Sequence, residues 1–123
     1  MKPLRVYIAG MYSADNVLDV LRNIGRGQKV AARLFEQGFA PFSPWWDRSF
    51  VLDNPEGQYT KQMFYAASLA WLEVSDAVLV ISGAGDGGGV DAEIKRAWEL
   101  GLSVFNSVTG LQLWRDVQKE LTK

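Results

Sequence analysis

The 123-residue chain contains no cysteine and no histidine. Without cysteine there are no disulfides and no thiol nucleophile. Without histidine the chain lacks the side chain most often used for proton transfer near neutral pH. Together the two absences weaken any metal reading, because zinc and redox metals lean on thiolate and imidazole ligands. No metal and no cofactor are expected. Long apolar runs are also missing: none approaches the roughly 20 residues that a membrane-spanning helix requires. The opening Met-Lys-Pro-Leu-Arg-Val-Tyr runs straight into a strand pattern and lacks the apolar core of a signal peptide. A cytoplasmic protein without a membrane partner is the expectation. Charge of one sign is absent too, since 13 Lys and Arg face 14 Asp and Glu for a net charge of -1. Such a balance leaves no electrostatic footprint for duplex nucleic acid. For covalent or acid–base chemistry, carboxylates are the leading candidates.

What the chain does have is a real apolar complement, 48% of residues against 22% charged, and enough length for residues 1–123 to form a single domain with a buried core. Five tryptophans are many for this size; most are expected in a core or an interface, because aromatic side chains are large hydrophobes first.

Apolar patterning alternates between strand and helix. Leu4 to Ala9 reads as a first strand ending at Gly10, and residues 11–25 as a long polar connection. Arg26 to Gln37 has helical spacing at Val30, Ala31, Leu34 and Phe35, closed by Gly38 as a residue just past the helix end. Phe39 to Ser43 is a brief second strand, and Pro41 argues for an edge position. A second long loop runs from Pro44 to Gln58. Tyr59 to Val74 is helical, with Met63, Ala67, Ala70, Trp71 and Val74 on one face. Ala77 to Ile81 is almost entirely apolar, as a central parallel strand covered on both sides should be. Val90, Ile94, Ala97 and Trp98 mark a helix from Val90 to Leu100, stopped by Gly101, and Leu102 to Phe105 is a fourth strand. Thr109 and Gln112 suggest a capping box for a last helix carrying Leu111, Trp114, Val117 and Leu121.

The order βαβαβαβα predicts an α/β three-layer sandwich around a parallel sheet of about four to five strands. The flavodoxin-like order 2-1-3-4 is favoured. Ligands in such sheets bind beyond the carboxyl ends of the strands that flank the switch point, here the first and third. The two unusual loops of the chain sit at those tips. They supply Gly10, Met11 and Tyr12 on one side, and Gly83, Asp86, Gly87, Gly88 and Gly89 on the other. Trp45 and Trp46 follow the second strand at the same end, where either can stack on a base or fill a core or subunit contact. Arg26 is read at the start of the first helix, either near a phosphate or solvated. Asp76 lies at the opposite end of the sheet and is read as structural.

Gly83, Gly85 and Gly88 satisfy G-x-G-x-x-G between a strand and a helix. A dinucleotide site would add an acid about 20 residues on to hold the ribose. None stands at the end of the next strand, which closes on Asn106, and the motif follows the third strand rather than the first. A plain glycine connector is the other reading, although five glycines in seven residues suit a backbone that something must approach closely. Seven residues past Asp86 stands Glu93, read in the first turn of the following helix, where the macrodipole favours an ionised carboxylate. The same dipole makes first-turn acids common without any function. Asp86 is equally a turn former, and Asp91 is expected to project into solvent.

Taken together, the chain resembles the nucleoside 2-deoxyribosyltransferase-like superfamily over most of its length. The resemblance rests on Val6-Tyr7-Ile8-Ala9-Gly10, on Ala31 to Gly38 leading to Phe42-Ser43-Pro44, and on Ser75 to Val80 running through the glycine loop to Glu93. Glu93 to Gly101 is similar to the family's E-x-x-x-A-x-x-x-G ending. The resemblance implies cleavage or transfer at an N-glycosidic bond of a (deoxy)nucleoside or nucleoside 5′-monophosphate, with Glu93 as nucleophile. It implies that Tyr7 orients that carboxylate, that Gly87 and Gly89 line the sugar, and that the protein is a homodimer or larger. The chain differs from the family in three places. Gly87 stands where nucleotide-specific members often have serine, Ser68 replaces an aspartate in the helix before the third strand, and the glycine loop is one residue longer, moving Asp86 one step. These differences point toward a divergent hydrolase rather than a base-exchanging transferase. A non-catalytic nucleotide-binding or assembly module of the same fold is the alternative.

Overall fold

The computed structural model describes residues 1–10, 14–81 and 89–123. Its elements are β1 (Arg5–Ala9), α1 (Val17–Glu36), β2 (Ala40–Phe42), a 3₁₀ turn (Pro44–Asp47), α2 (Arg48–Asp53), α3 (Lys61–Glu73), β3 (Ala77–Val80), α4 (Gly89–Glu99), β4 (Ser103–Phe105) and α5 (Val108–Leu121). All strands are parallel in one sheet of order β2-β1-β3-β4. This is the flavodoxin-like arrangement expected from the sequence. Tyr7 of β1 sits opposite Phe42 of β2 and Val78 of β3. The two central strands are almost wholly buried, which explains their uninterrupted apolar runs. β2 with its Pro41 lies on an edge.

The sheet separates two cores. On one face Val6, Ile8, Ala77 and Leu79 pack with Leu34, Phe39, Trp45 and Leu111 under α1 and α5. On the other, Tyr7, Ala9, Val78 and Val80 pack with Leu72, Val90 and Ala97 under α3 and α4. At the amino end of the strands Asp76 accepts from the Arg5 amide at 2.8 Å, and its own amide donates to the Arg5 carbonyl at 2.8 Å. Asp76 is thus a clasp between β1 and β3, in keeping with its distance from the crevice.

Several elements depart from the pattern reading. α1 starts at Val17 rather than Arg26, capped by Asn16, whose side chain accepts from the Asp19 amide at 2.9 Å. Its first half contains Asn23 and Gly25, which look like loop residues. Asn23, Gly27 and Leu34 nevertheless form the buried stripe of the helix, and packing overrides propensity. Arg26 is therefore mid-helix, with Nη2 donating to Asn23 Oδ1 at 3.1 Å, and does not open the helix. Gly38 does follow the end of α1, at φ +90°, a conformation that glycine adopts without a side-chain clash. Much of the stretch from Pro44 to Gln58, which reads as a loop, is instead the 3₁₀ turn and α2. The cap of α5 lies two residues before the expected one: Ser107, not Thr109, caps it by accepting from the Gly110 amide at 3.0 Å. Val117 and Leu121 of α5 are exposed rather than buried.

The largest departure in packing is α3. Leu72 is its buried residue, and the face expected to be internal points outward, with Met63 53% and Trp71 51% exposed and Val74 exposed as well. Apolar residues surround most of this helix, so periodicity alone does not say which side meets the sheet. Trp71 lies over Phe42 at 5.3 Å between ring centres, and Trp98 of α4 is 67% exposed. Arg96 of α4 meets Glu73 of α3 at 3.3 Å on the surface, so the two helices lie side by side.

Candidate active site

Beyond the carboxyl ends of β1 and β3 the chain leaves a cleft of about 550 Å³, a volume that suits a small organic ligand. Gly10, the first residue after β1, forms part of its floor. A Cβ there would lie 2.5 Å from Ile81 Cγ1 and 3.1 Å from Trp45 Cζ2, so the two strand tips and the indole meet only because residue 10 has no side chain. Glu93 and Val90 reach the cleft from α4. α4 begins at Gly89, which makes Glu93 its fifth residue, and Asp91 rather than Glu93 is the acid of the first turn. Glu93 thus stands further from the helix end than the sequence pattern suggests, and the macrodipole acts on it less strongly than expected.

Tyr7 orients Glu93. Its ring is fully buried in β1 and stacks on Phe42 at 5.5 Å, and its hydroxyl donates to Glu93 Oε1 at 2.9 Å. Burial drives the phenol far above its ordinary range, and the charge of Glu93 and the hydrogen bond to it push the same way. Ser68, on α3, also hydrogen-bonds the phenol and pulls weakly in the other direction. The upward shift keeps the phenol a donor near neutral pH, and the carboxylate is held by a neutral partner.

The opposite wall comes from the stretch after β2, where sequence reasoning finds little beyond a loop. Pro44, Asp47, Arg48, Val51 and Leu52 line the cleft from the 3₁₀ turn and α2, followed by Tyr59, Thr60 and Lys61, and by Phe64, Tyr65 and Ser68 from α3. This wall is tied down locally. The Tyr59 hydroxyl lies 3.0 Å from both the Phe50 and Asn54 carbonyls, and Ser43 Oγ donates to Gln28 Oε1 of α1 at 2.7 Å. Asp47 is half-buried, and loss of hydration raises its carboxyl above the usual carboxylate range. Its charge also reaches the Tyr7 phenol, adding to the upward shift there. A signal for this wall is present in the sequence: Trp-Trp-Asp-Arg directly follows a parallel strand, at the end of the sheet where ligands bind.

Of the expected site residues, Glu93, Tyr7, Gly10 and Trp45 converge on one region. Trp45 is 2% exposed and contributes to the floor while its ring packs in the core. Trp46 stays outside the cleft lining and meets Phe50 edge-on at 4.9 Å. Gly89 opens α4. Met11, Tyr12, Gly83, Asp86, Gly87 and Gly88 lie outside the described residues. Among the described residues no group of three or more carboxylates, histidines or cysteines is gathered closely enough to hold a metal ion, and no helix is long and apolar enough to cross a membrane. Compared with protein-family models and with curated proteins, the chain matches none.

Proposed function

We propose that the protein cleaves or transfers the N-glycosidic bond of a (deoxy)nucleoside or nucleoside 5′-monophosphate, with Glu93 as the nucleophile. The observation that carries this is the 2.9 Å hydrogen bond from the buried Tyr7 hydroxyl to a carboxylate that lines a ligand-sized cleft. A carboxylate held in this way can attack an anomeric carbon and form a glycosyl ester, splitting one hard displacement into two easier ones. The phenols of Tyr59 and Tyr65 and the ring of Phe64 line the same space and offer faces to a flat base. The test is direct: purified protein is incubated with a panel of nucleosides and their 5′-monophosphates, and free base is measured by chromatography. Binding without release, unchanged by Glu93→Ala, would instead favour a nucleotide-binding module. Ser68, at the helix position where the similar enzymes carry an acid, gives that second reading its specific support.

Tyr7→Phe is expected to lower kcat by roughly 10- to 100-fold with little change in KM, because it frees the orientation of the nucleophile without touching the substrate. A KM effect with kcat intact would contradict the positioning role.

We also propose that copies of the chain associate through the outer face of α3 and α4. Met63 and Trp71 of α3 and Trp98 of α4 are exposed on these adjacent helices, and Met and Trp are enriched in interface cores. Trp98→Glu is expected to weaken self-association by about 100-fold or more, read by light scattering at micromolar concentration. Monomeric parent protein under those conditions would overturn this.

A further inference from the structure

Among the described residues that line the cleft there are two carboxyl groups, Glu93 and Asp47. They arrive from opposite sides of β1: Asp47 from the turn that follows β2, and Glu93 from the helix that follows β3. Departure of a base from a sugar needs a proton as much as it needs a nucleophile, since an unprotonated purine or pyrimidine anion is a poor leaving group. The other cleft residues supply that proton badly. Ser68 is far too weak an acid, and the phenol of Tyr7 is pushed upward and committed to Glu93.

We infer that Asp47 is the general acid that protonates the departing base, an assignment that rests on the glycosidic reading given above. As the bond from C1′ to the base nitrogen breaks, its electron pair passes to the base. The Asp47 carboxyl proton goes onto a ring nitrogen of that base, and a Glu93 oxygen forms the new bond to C1′. The base leaves neutral and Asp47 is left as a carboxylate. In the second step a water oxygen bonds to C1′, the ester bond to Glu93 breaks, and Asp47 takes the water's proton. Both groups return to their starting states. Two carboxyls whose surroundings separate their protonation are the usual division of labour in glycoside chemistry. Partial burial favours the neutral form of Asp47, while the Tyr7 hydroxyl supports Glu93 as an acceptor. Among the described residues, the titratable and charged groups that share the cleft with Asp47 are Glu93 from α4, Arg48 from α2, Lys61 and Tyr65 from α3, and Tyr59, and its charge also reaches Tyr7 of β1.

The test compares a purine deoxynucleoside with its 7-methyl derivative, whose base is already cationic and leaves neutral without being protonated. Base release is measured for the parent protein, Asp47→Asn and Asp86→Asn. Asp47→Asn should lose roughly 100- to 1,000-fold in kcat on the ordinary substrate and stay within about threefold on the methylated one. In the parent protein activity on the ordinary substrate should fall as pH rises through the elevated value of Asp47, above the usual carboxylate range. That limb should vanish with the methylated substrate. Asp47→Asn should also be no less heat-stable at neutral pH. A raised native value means stability present below the unfolded value is lost as pH climbs through the native one, and asparagine escapes this loss. Equal losses on both substrates, or the selective loss appearing in Asp86→Asn instead, would overturn the assignment while leaving Glu93 as nucleophile. No base release by the parent protein from either substrate would sink both.

Discussion

Glu93→Gln is expected to lower base release by about 10⁴-fold, roughly 5.4 kcal/mol of barrier, while substrate affinity stays within about threefold. The amide oxygen can still accept from the Tyr7 hydroxyl, so the local geometry at 2.9 Å has a replacement acceptor. What the amide loses is the negative charge and the nucleophilic lone pair needed for an ester to C1′. The loss should therefore lie in kcat rather than KM. Rapid quenching and intact-mass measurement should find a protein heavier by one sugar unit in the parent and no such species in the variant. Glu93→Ala should behave similarly in catalysis but leave the buried phenol without that acceptor, so its stability should suffer more. Release by Glu93→Gln within tenfold of the parent would remove Glu93 from the nucleophile's role.

A second large effect concerns two glycines of the same helix, two positions apart. In most helices glycine to alanine is favourable by up to about 1 kcal/mol. Gly25 is exposed, and a Cβ added there would meet nothing within 4 Å, so Gly25→Ala should stabilise the protein by roughly 0.5–1 kcal/mol. Gly27 is different. A Cβ there would stand 2.4 Å from Cε3, 2.6 Å from Cζ3 and 2.7 Å from Cδ2 of Trp45. That indole is 2% exposed and closed in from another side by Gly10, so it has little room to retreat. Overpacking of this kind costs about 1–3 kcal/mol or more and outweighs the gain in helix propensity. Gly27→Ala should be destabilised by about 2 kcal/mol, a fall of roughly 6–10 °C in Tm. Because the displaced ring forms the cleft floor, activity should fall with it. Combining Gly27→Ala with Trp45→Phe should recover part of the loss, because the smaller ring leaves space for the methyl group. Shifts of the same sign at positions 25 and 27 would refute this account of the contact.

The sheet is legible in the sequence because its signals are local. Ala77 to Val80 is apolar at every position, Pro41 marks an edge, and Gly38 closes α1 where the helical spacing stops. The first half of α1 is not legible, because Asn23 and Gly25 read as loop residues, and what holds Asn23 in a helix is a buried stripe it shares with Gly27, which meets Trp45, a residue 18 positions further along. The existence of α3 is readable but its orientation is not, since its apolar residues surround most of the cylinder and the polar Ser68 faces the cleft. For the site, the loop ends of β1 and β3 follow from strand order alone, whereas the link from Tyr7 to Glu93 spans 86 positions and is reached only through resemblance. Asp47 carries no signal of its own in the sequence, because its aromatic neighbours offer a simpler reading, and only partial burial in the cleft that Glu93 also lines sets it apart.

The cleft is assembled from two kinds of chain. Tyr7 and Glu93 belong to a buried strand and a helix packed on it, which the fold cannot alter without losing its core. The facing residues from Pro44 to Tyr65 come largely from a detour between β2 and α3 that contributes no strand to the sheet. On the proposed glycosidic reading, the attacking carboxylate and the proton-donating one, Asp47, thus come from separate stretches, and the stretch with Asp47 also supplies most of the wall that a ligand would meet. Exchanging that detour around a retained Asp47 would then retune what the protein accepts while the proposed nucleophile stayed as it is.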